Sequence, residues 1–412
     1  MELYYSFSVL IVLASLFAYL NLRYLKLPST IGIMLMAIVV SIIIRFAGNQ
    51  LFPETTFRIF TLISEVDFTE VLMGAMLNFL LFAGAIHVNF ADLREQRTPV
   101  LVFSSISVIL STFFIAVVLF YLAPLLGVEI PFLYCLLFGA LISPTDPIAV
   151  LGILKKANVG KSLETKITGE SLFNDGVAVV LFAVILQLTM SPDTEVNFLH
   201  ISWLLIKEAA GGLLLGLLIG TTASAAMKRI DDYIVICLIT LSVVMGGYLI
   251  ARYIHISGPL TMVAAGLIIG NYGKKSLTSE NVRDYVEKFW ELIDEIMNAV
   301  LFLFIGFELL LIKDFSTYWL ISVVGIFIVL LARAVSIWIP SKIVPFKPRL
   351  KKGSISILVW GGLRGGVSIA LVLSVTEPIY KELLLEMTYF VVVFSIVVQG
   401  LTVGKLSKKL SM

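Results

Sequence analysis

The sequence predicts an all-α polytopic membrane protein of about thirteen transmembrane helices, and three observations carry that prediction. Its 412 residues are 59% apolar and 14% charged, with a mean hydropathy of +1.01, outside the range of soluble domains. The apolar residues fall into runs mostly near or above the ~20 residues a helix needs to cross ~30 Å of hydrocarbon. Most of the charged residues lie outside those runs.

In chain order the runs cover 4–20, 28–46, 69–88, 99–122, 131–154, 163–189, 203–226, 233–251, 256–270, 286–311, 316–340, 353–375 and 382–404. The run at 256–270 is short, so it is expected to be tilted or buried by its neighbours. The longest outside connection, near 47–68, carries Glu54, Glu65 and Asp67 and reads as a solvated loop in preference to a surface helix. Twenty-one basic residues, among them Arg94, Arg97, Lys161 and Lys274, lie in the odd-numbered connections and the C-terminus, against six on the other side. That asymmetry predicts an N-terminus outside and a C-terminus in the cytoplasm, in a prokaryotic cell (inner) membrane. A net charge of +2 argues against a nucleic-acid partner, and the two cysteines, Cys135 and Cys237, read as packing residues within apolar runs. No soluble domain and no cofactor are expected.

Two runs are interrupted, and in matching fashion. The fifth contains Ser143-Pro144-Thr145-Asp146-Pro147, and the twelfth contains Gly361-Gly362-Leu363-Arg364-Gly365-Gly366. Prolines remove backbone donors and clustered glycines weaken a helix, so both runs are expected to unwind. They are seven spans apart, an odd offset, and therefore run in opposite directions. Matched breaks in antiparallel spans point to inverted-topology repeats with two crossed discontinuous helices and a binding site at the crossing. The repeats would be residues 1–189 (spans one to six) and 233–404 (spans eight to thirteen), joined by span seven at 203–226.

Asp175 lies in the sixth run, and a carboxylate at membrane depth marks an ion or proton path by default. At 1.5 Å per residue Asp146 is about 22 Å along from Pro131 and Asp175 about 18 Å from Leu163, which places both near the midplane. Ser171 and Asp175 are four apart, as are Glu170 and Asn174, so one polar stripe faces the unwound backbone of 144–147. Carboxylate, hydroxyl, amide and backbone oxygens are what a hard monovalent cation requires. Removal from water favours the protonated carboxyl, whereas a bound cation favours the carboxylate, so one acid holds a proton or a cation in turn.

T-D-P in the fifth run, E-S-L-F-N-D in the sixth and G-G-L-R-G-G in the twelfth, in that order, resemble the NhaP-type and sodium/proton exchanger branch of the monovalent cation:proton antiporter family. The resemblance extends over essentially the whole chain. It implies a secondary antiporter, not an enzyme, that exchanges Na⁺ or Li⁺ for H⁺ and acts in pH homeostasis. By the same resemblance Asp175 is the shared ion and proton site. Ser171 and Thr145 would add ligands, Asp146 would bind through water or neutralise facing helix ends, and the partners would be the lipid bilayer and a second copy of the chain. Asn174 stands where electrogenic relatives carry a second aspartate, implying electroneutral one-for-one exchange. Glu170 and Arg364 match a buried ion pair, and Arg333 matches a structural arginine.

One departure is Phe82-Ala83-Gly84-Ala85, where several prokaryotic members carry a glutamate in F-E-G-A, leaving one ligand fewer. Glu308, near the outer end of its span, is a poor geometric substitute. Potassium in place of sodium stays open as the transported ion. More distant classes, an intramembrane hydrolase or a cation channel, lack their motifs in this sequence, since it has no G-x-G-D, G-x-S-G, H-E-x-x-H or repeated pore loop. Asp146 before Pro147 could also simply start a half-helix. Glu287, Glu291, Asp294 and Glu295 read as a solvated helix start in preference to a cation-attracting mouth, and His87, His200 and His255 as span-end residues.

Overall fold

The computed structural model describes residues 2–48, 74, 76–147, 150–151, 161–190, 198–274, 280–311, 317–346 and 353–410, and every regular element among them is helical. The connection near 47–68 lies almost wholly outside the described residues. Eight of the described helices are long and apolar enough to cross a membrane.

The first are α1 (Glu2–Leu20), α2 (Ser29–Ile43), the shorter α3 (Leu77–Ile86) and α4 (Arg97–Leu122). Then follow α5 (Phe132–Ile142), entered from Pro131, and the thirty-residue α6 (Lys161–Met190). The centre of the chain forms α7 (Phe198–Met227), α8 (Tyr233–Tyr253) and α9 (Gly258–Ile268). The Asp232 carboxylate accepts the first free N–H groups of α8, and the Ser257 hydroxyl does the same for α9, whose Pro259 needs no partner. The remainder comprises α10 (Glu280–Leu311), α11 (Trp319–Ile343), two half-helices, α12 (Ser354–Trp360) and α13 (Gly366–Leu373), and α14 (Pro378–Leu410).

These helices pack as two bundles. In the first, α4, α5, α6, α11, α13 and α14 surround the broken spans; in the second, α1, α2, α3, α7, α8, α9 and α10 pack on one another. The axis of the second bundle is α9, the short run anticipated from the sequence, and all eleven of its residues are buried. Small residues bring its neighbours to backbone distance. A Cβ on Gly216 of α7 would lie 2.3 Å from the Thr261 carbonyl oxygen, and one on Gly270, just past α9, would lie 2.3 Å from the Ile86 carbonyl oxygen. Side-chain packing and main-chain proximity, rather than a hydrophobic drive against lipid, hold such helix pairs. Trp290 of α10, fully buried, closes the bundle by packing at a tilt against Phe82, ring centroids 4.6 Å apart, and donating its indole N–H to the Thr240 hydroxyl at 3.0 Å. Cys135 and Cys237 carry free thiols.

Where the bundles meet, α6 lies against α3, α7 and α9, and α13 lies against α10. Leu260 of α9 seats on Gly176 of α6, where an added Cβ would come within 2.4 Å of it, and Leu301 of α10 seats on Gly366 in the same way. Between those two seats the bundles part around a cavity of about 850 Å³ that opens toward the end marked by Asn89, Asp92 and Lys161.

Candidate ion-binding site

Both interrupted spans unwind where the sequence places the breaks. Helix α5 ends at Ile142, α12 ends at Trp360, and α13 starts at Gly366. The two unwound segments cross and bond through their main chains, with the Asp146 N–H donating to the Leu363 carbonyl at 2.7 Å. None of the four glycines in the second break has a left-handed φ. Their function is space: a Cβ on Gly365 would lie 2.6 Å from Asp146 Oδ2, and one on Gly362 would lie 2.5 Å from Arg333 Nε.

The crossing compensates its own exposed helix ends. Arg364, 2% exposed, donates through Nη1 to the carbonyls of Ser143 and Pro144, at the negative end of α5. Across from it, the Asp146 carboxylate rests against Gly365, at the positive end of α13. Helix α14 backs the crossing, since the Ser395 hydroxyl accepts the Arg364 N–H at 2.9 Å and Gln399 donates to the Trp360 carbonyl at 3.1 Å.

Thr145 organises the face turned toward α6. Its N–H donates to Asn174 Oδ1 at 3.3 Å, its hydroxyl accepts from Asn174 Nδ2 at 2.8 Å, and its carbonyl accepts from the Ser171 hydroxyl. One turn of helix spacing between Ser171 and Asp175 then brings the Asp175 carboxylate to the cavity, where Thr145, Asp146 and Ser171 also line the wall. Asp175 is 8% exposed, at the inner end of that cavity, while Asn174 is fully buried and absent from its wall. The amide expected among the ion ligands is thus spent on holding Thr145. Pro144 and Pro147 also line the cavity, and the Pro147 carbonyl accepts from the Leu151 N–H at 2.7 Å as the chain turns helical again.

The ion pair expected between Glu170 and Arg364 is formed with a different arginine. Arg333 Nη1 of α11 meets Glu170 Oε1 at 2.5 Å, and its Nη2 donates to the Leu358 carbonyl of α12 at 3.0 Å. Arg364 lies near enough to feel both charges, but its guanidinium is committed to the α5 carbonyls, which a helix C-terminus presents more completely than a distant carboxylate can. Arg333 accordingly ties α11, α6 and α12 together.

The wall opposite Asp175 is acidic. Glu287, Glu291 and Glu295 of α10 are exposed, as a solvated helix start would be, and with Asp284, Asp294 and Asn298 they also line the cavity. At the rim Glu287 meets Lys274 at 3.5 Å and His87 at 3.7 Å, and Lys161 meets Asp92 at 2.9 Å. Burial pulls the Lys274 ammonium below its usual range, and Glu287 opposes that shift. Ala83 is fully buried on α3, and its neighbour Gly84 is on the cavity wall.

The family model for the transmembrane sodium/hydrogen exchangers matches residues 11–409. The Na⁺/H⁺ antiporter NhaP of Pseudomonas aeruginosa is 45% identical over 414 residues, covering 98% of this chain and 96% of that protein. The Na⁺/H⁺ antiporter NhaH of Halobacillus dabanensis is 33% identical, covering 85% of each. The solved sodium proton antiporter MjNhaP1 of Methanocaldococcus jannaschii shares the fold, with a TM-score of 0.77 at 20% identity over 100% of this chain and 99% of that one. The chain belongs to the sodium/hydrogen exchanger family, on its NhaP-type branch.

Proposed function

We propose that this protein is a secondary antiporter that exchanges Na⁺, or Li⁺ as a surrogate, for H⁺ one for one, with Asp175 carrying each in turn. The observation that carries the reading is the place of Asp175: buried at the inner end of a one-sided, acid-lined cavity, beside the crossing of two unwound helices. Two relatives of high coverage bear the name Na⁺/H⁺ antiporter, which favours sodium as the cation.

Transport follows from the chemistry of that position. The acids of α10 and of the rim raise the local cation concentration at the open mouth. A dehydrated cation then gains the Asp175 carboxylate, with Thr145, Asp146 and Ser171 close enough to contribute oxygens directly or through water. An acid removed from bulk water can hold a proton or a cation, and seldom both, so each cation that enters releases a proton. Because the Asn174 amide bears no charge and is spent on Thr145, no second carboxylate stands beside Asp175 on α6, and net charge is conserved across the cycle. Movement of the bundle holding the broken helices against the α9 bundle would expose the site to the other side. The basic connections favour a cavity open to the cytoplasmic side of a prokaryotic cell membrane, and the chain would act there as a homodimer.

Proteoliposomes with an internal pH dye test this directly. Addition of Na⁺ or Li⁺ should move protons saturably, K⁺ should move far fewer, and Asp175→Asn should abolish the signal. Undiminished exchange by that variant removes Asp175 from the mechanism, and a membrane potential generated by exchange removes the one-for-one stoichiometry.

A further inference from the structure

The cavity wall contributed by α10 has a strict spacing. Asp284, Glu287, Glu291, Asp294, Asn298 and Leu301 all line it, and steps of three and four residues put them on one face of the helix. Continued by the same steps, that face reaches Ile305 and then Glu308. Glu308 is one heptad past Leu301, about 10 Å farther from the open mouth and on the same side of α10. Leu301 and Ile305, 6% and 0% exposed, thus form an apolar interruption in an otherwise polar stripe, with a carboxylate beyond it.

The Glu308 carboxylate is wholly buried, and neither of its oxygens has a hydrogen-bond partner. A carboxyl in such a place costs several kcal/mol unless it is neutral or is regularly supplied with a partner. The groups around it come from the opposite bundle and from the end of α2. On α14, Lys381 and the buried Tyr389 lie within electrostatic reach, and Glu386, also fully buried, is less than one turn before Tyr389. The Tyr389 hydroxyl has no partner either. Lys381 is spent on the Leu373 carbonyl at 2.6 Å, and Arg45 donates to the Leu309 carbonyl at 3.2 Å rather than to Glu308. An acid and a phenol without partners therefore lie where the two bundles close, on the side away from the cavity.

We propose that Glu308 is a second proton and monovalent-cation site of the same path, belonging to the vestibule that forms on the closed side when the bundles shift. It rests on the exchange reading above and adds a station to it. In the closed arrangement the buried carboxyl is held as the neutral acid. When the opposite vestibule opens, water reaches it, the proton leaves, and the carboxylate attracts the incoming cation toward Asp175, as the acids of α10 do on the cavity side. Tyr389 lies within electrostatic reach of that acid.

Sidedness separates this role from a packing role. In everted and right-side-out membrane vesicles, Glu308→Gln should raise the apparent KM for Na⁺ about fivefold or more at the face opposite the cavity and flatten its pH dependence. At the cavity face KM should stay within about twofold, and Glu308→Asp should restore the wild-type values. Equal changes at both faces, or none, overturn the proposal. As a second measurement that needs no variant, a hydrophobic carbodiimide applied to the wild-type protein should modify Glu308, with Na⁺ slowing the reaction; an unmodified Glu308, or a rate indifferent to Na⁺, also overturns it. Failure of the exchange reading itself would appear separately, as absence of sodium-driven proton flux in wild type or its persistence in Asp175→Asn.

Discussion

Glu170→Gln is the most informative single perturbation, because the structure states which arginine should respond. Both partners are buried, with side chains 2% and 7% exposed, and the Glu170 carboxylate meets Arg333 at 2.5 Å. Losing the carboxylate leaves a buried guanidinium with the Leu358 carbonyl as its other acceptor, while Arg333 Nε already lacks one. Removing one member of such a pair costs about 3–5 kcal/mol, most of it the penalty of the stranded charge. Arg333→Gln should cost a similar amount, and the double variant far less than the sum, giving a coupling of about 2–3 kcal/mol. Arg364→Gln, by contrast, uncaps α5, so its cost should add to that of Glu170→Gln with only a small residual. Unfolding by sodium dodecyl sulfate in mixed micelles, followed by tryptophan fluorescence, measures all five variants on one scale. A Glu170–Arg364 coupling equal to or larger than the Glu170–Arg333 coupling would refute the reasoning.

Three further outcomes are expected. Gly365→Ala forces a methyl to within 2.6 Å of Asp146 Oδ2, so it should destabilise by about 1–3 kcal/mol and lower exchange about tenfold or more, measured as dye-reported flux per folded transporter. Thr145→Val keeps the side-chain shape but strands Asn174 Nδ2, and the loss of about 1 kcal/mol should weaken the apparent sodium affinity roughly fivefold at unchanged protein level. Asp294→Asn removes one charge from the cavity wall, so sodium KM should rise about two- to fivefold at low ionic strength, and the difference should fade when choline chloride screens the mouth.

How much of this was legible in the sequence depends on whether the cause is local. The breaks were legible because proline and clustered glycine act on their own backbone whatever surrounds them, and Asp175 was legible because a carboxylate among apolar residues needs a reason. The partner of Glu170 was not. Arg333 and Arg364 are both intramembrane arginines, and only the crossing, which turns Arg364 toward the Ser143 and Pro144 carbonyls, decides between them. The acids of α10 were legible only in part: a stripe at steps of three and four is identical for a helix facing solvent and one facing a water-filled cavity, and here the exposed acids also line the cavity. Its continuation through Leu301 and Ile305 to Glu308 was visible, but its meaning required knowing which face closes. The task of Asn174 was not legible either, since one residue of helix spacing turns its amide to Thr145 and leaves the cavity to Asp175.

In the proposed movement of the bundles, the seat of Leu260 on Gly176 would work as a detent. A leucine knob fits a bare stretch of the helix that carries Asp175, and Leu172 and Val180, one turn away on either side, offer branched side chains instead. Sliding α6 along α9 must lift the knob over that bulk, at a cost on the order of 1–2 kcal/mol in lost apolar contact. On the proposed mechanism the dwell time of the resting arrangement would depend on one missing methyl group, and the turnover rate of a Gly176→Ala variant would read how deep that notch is.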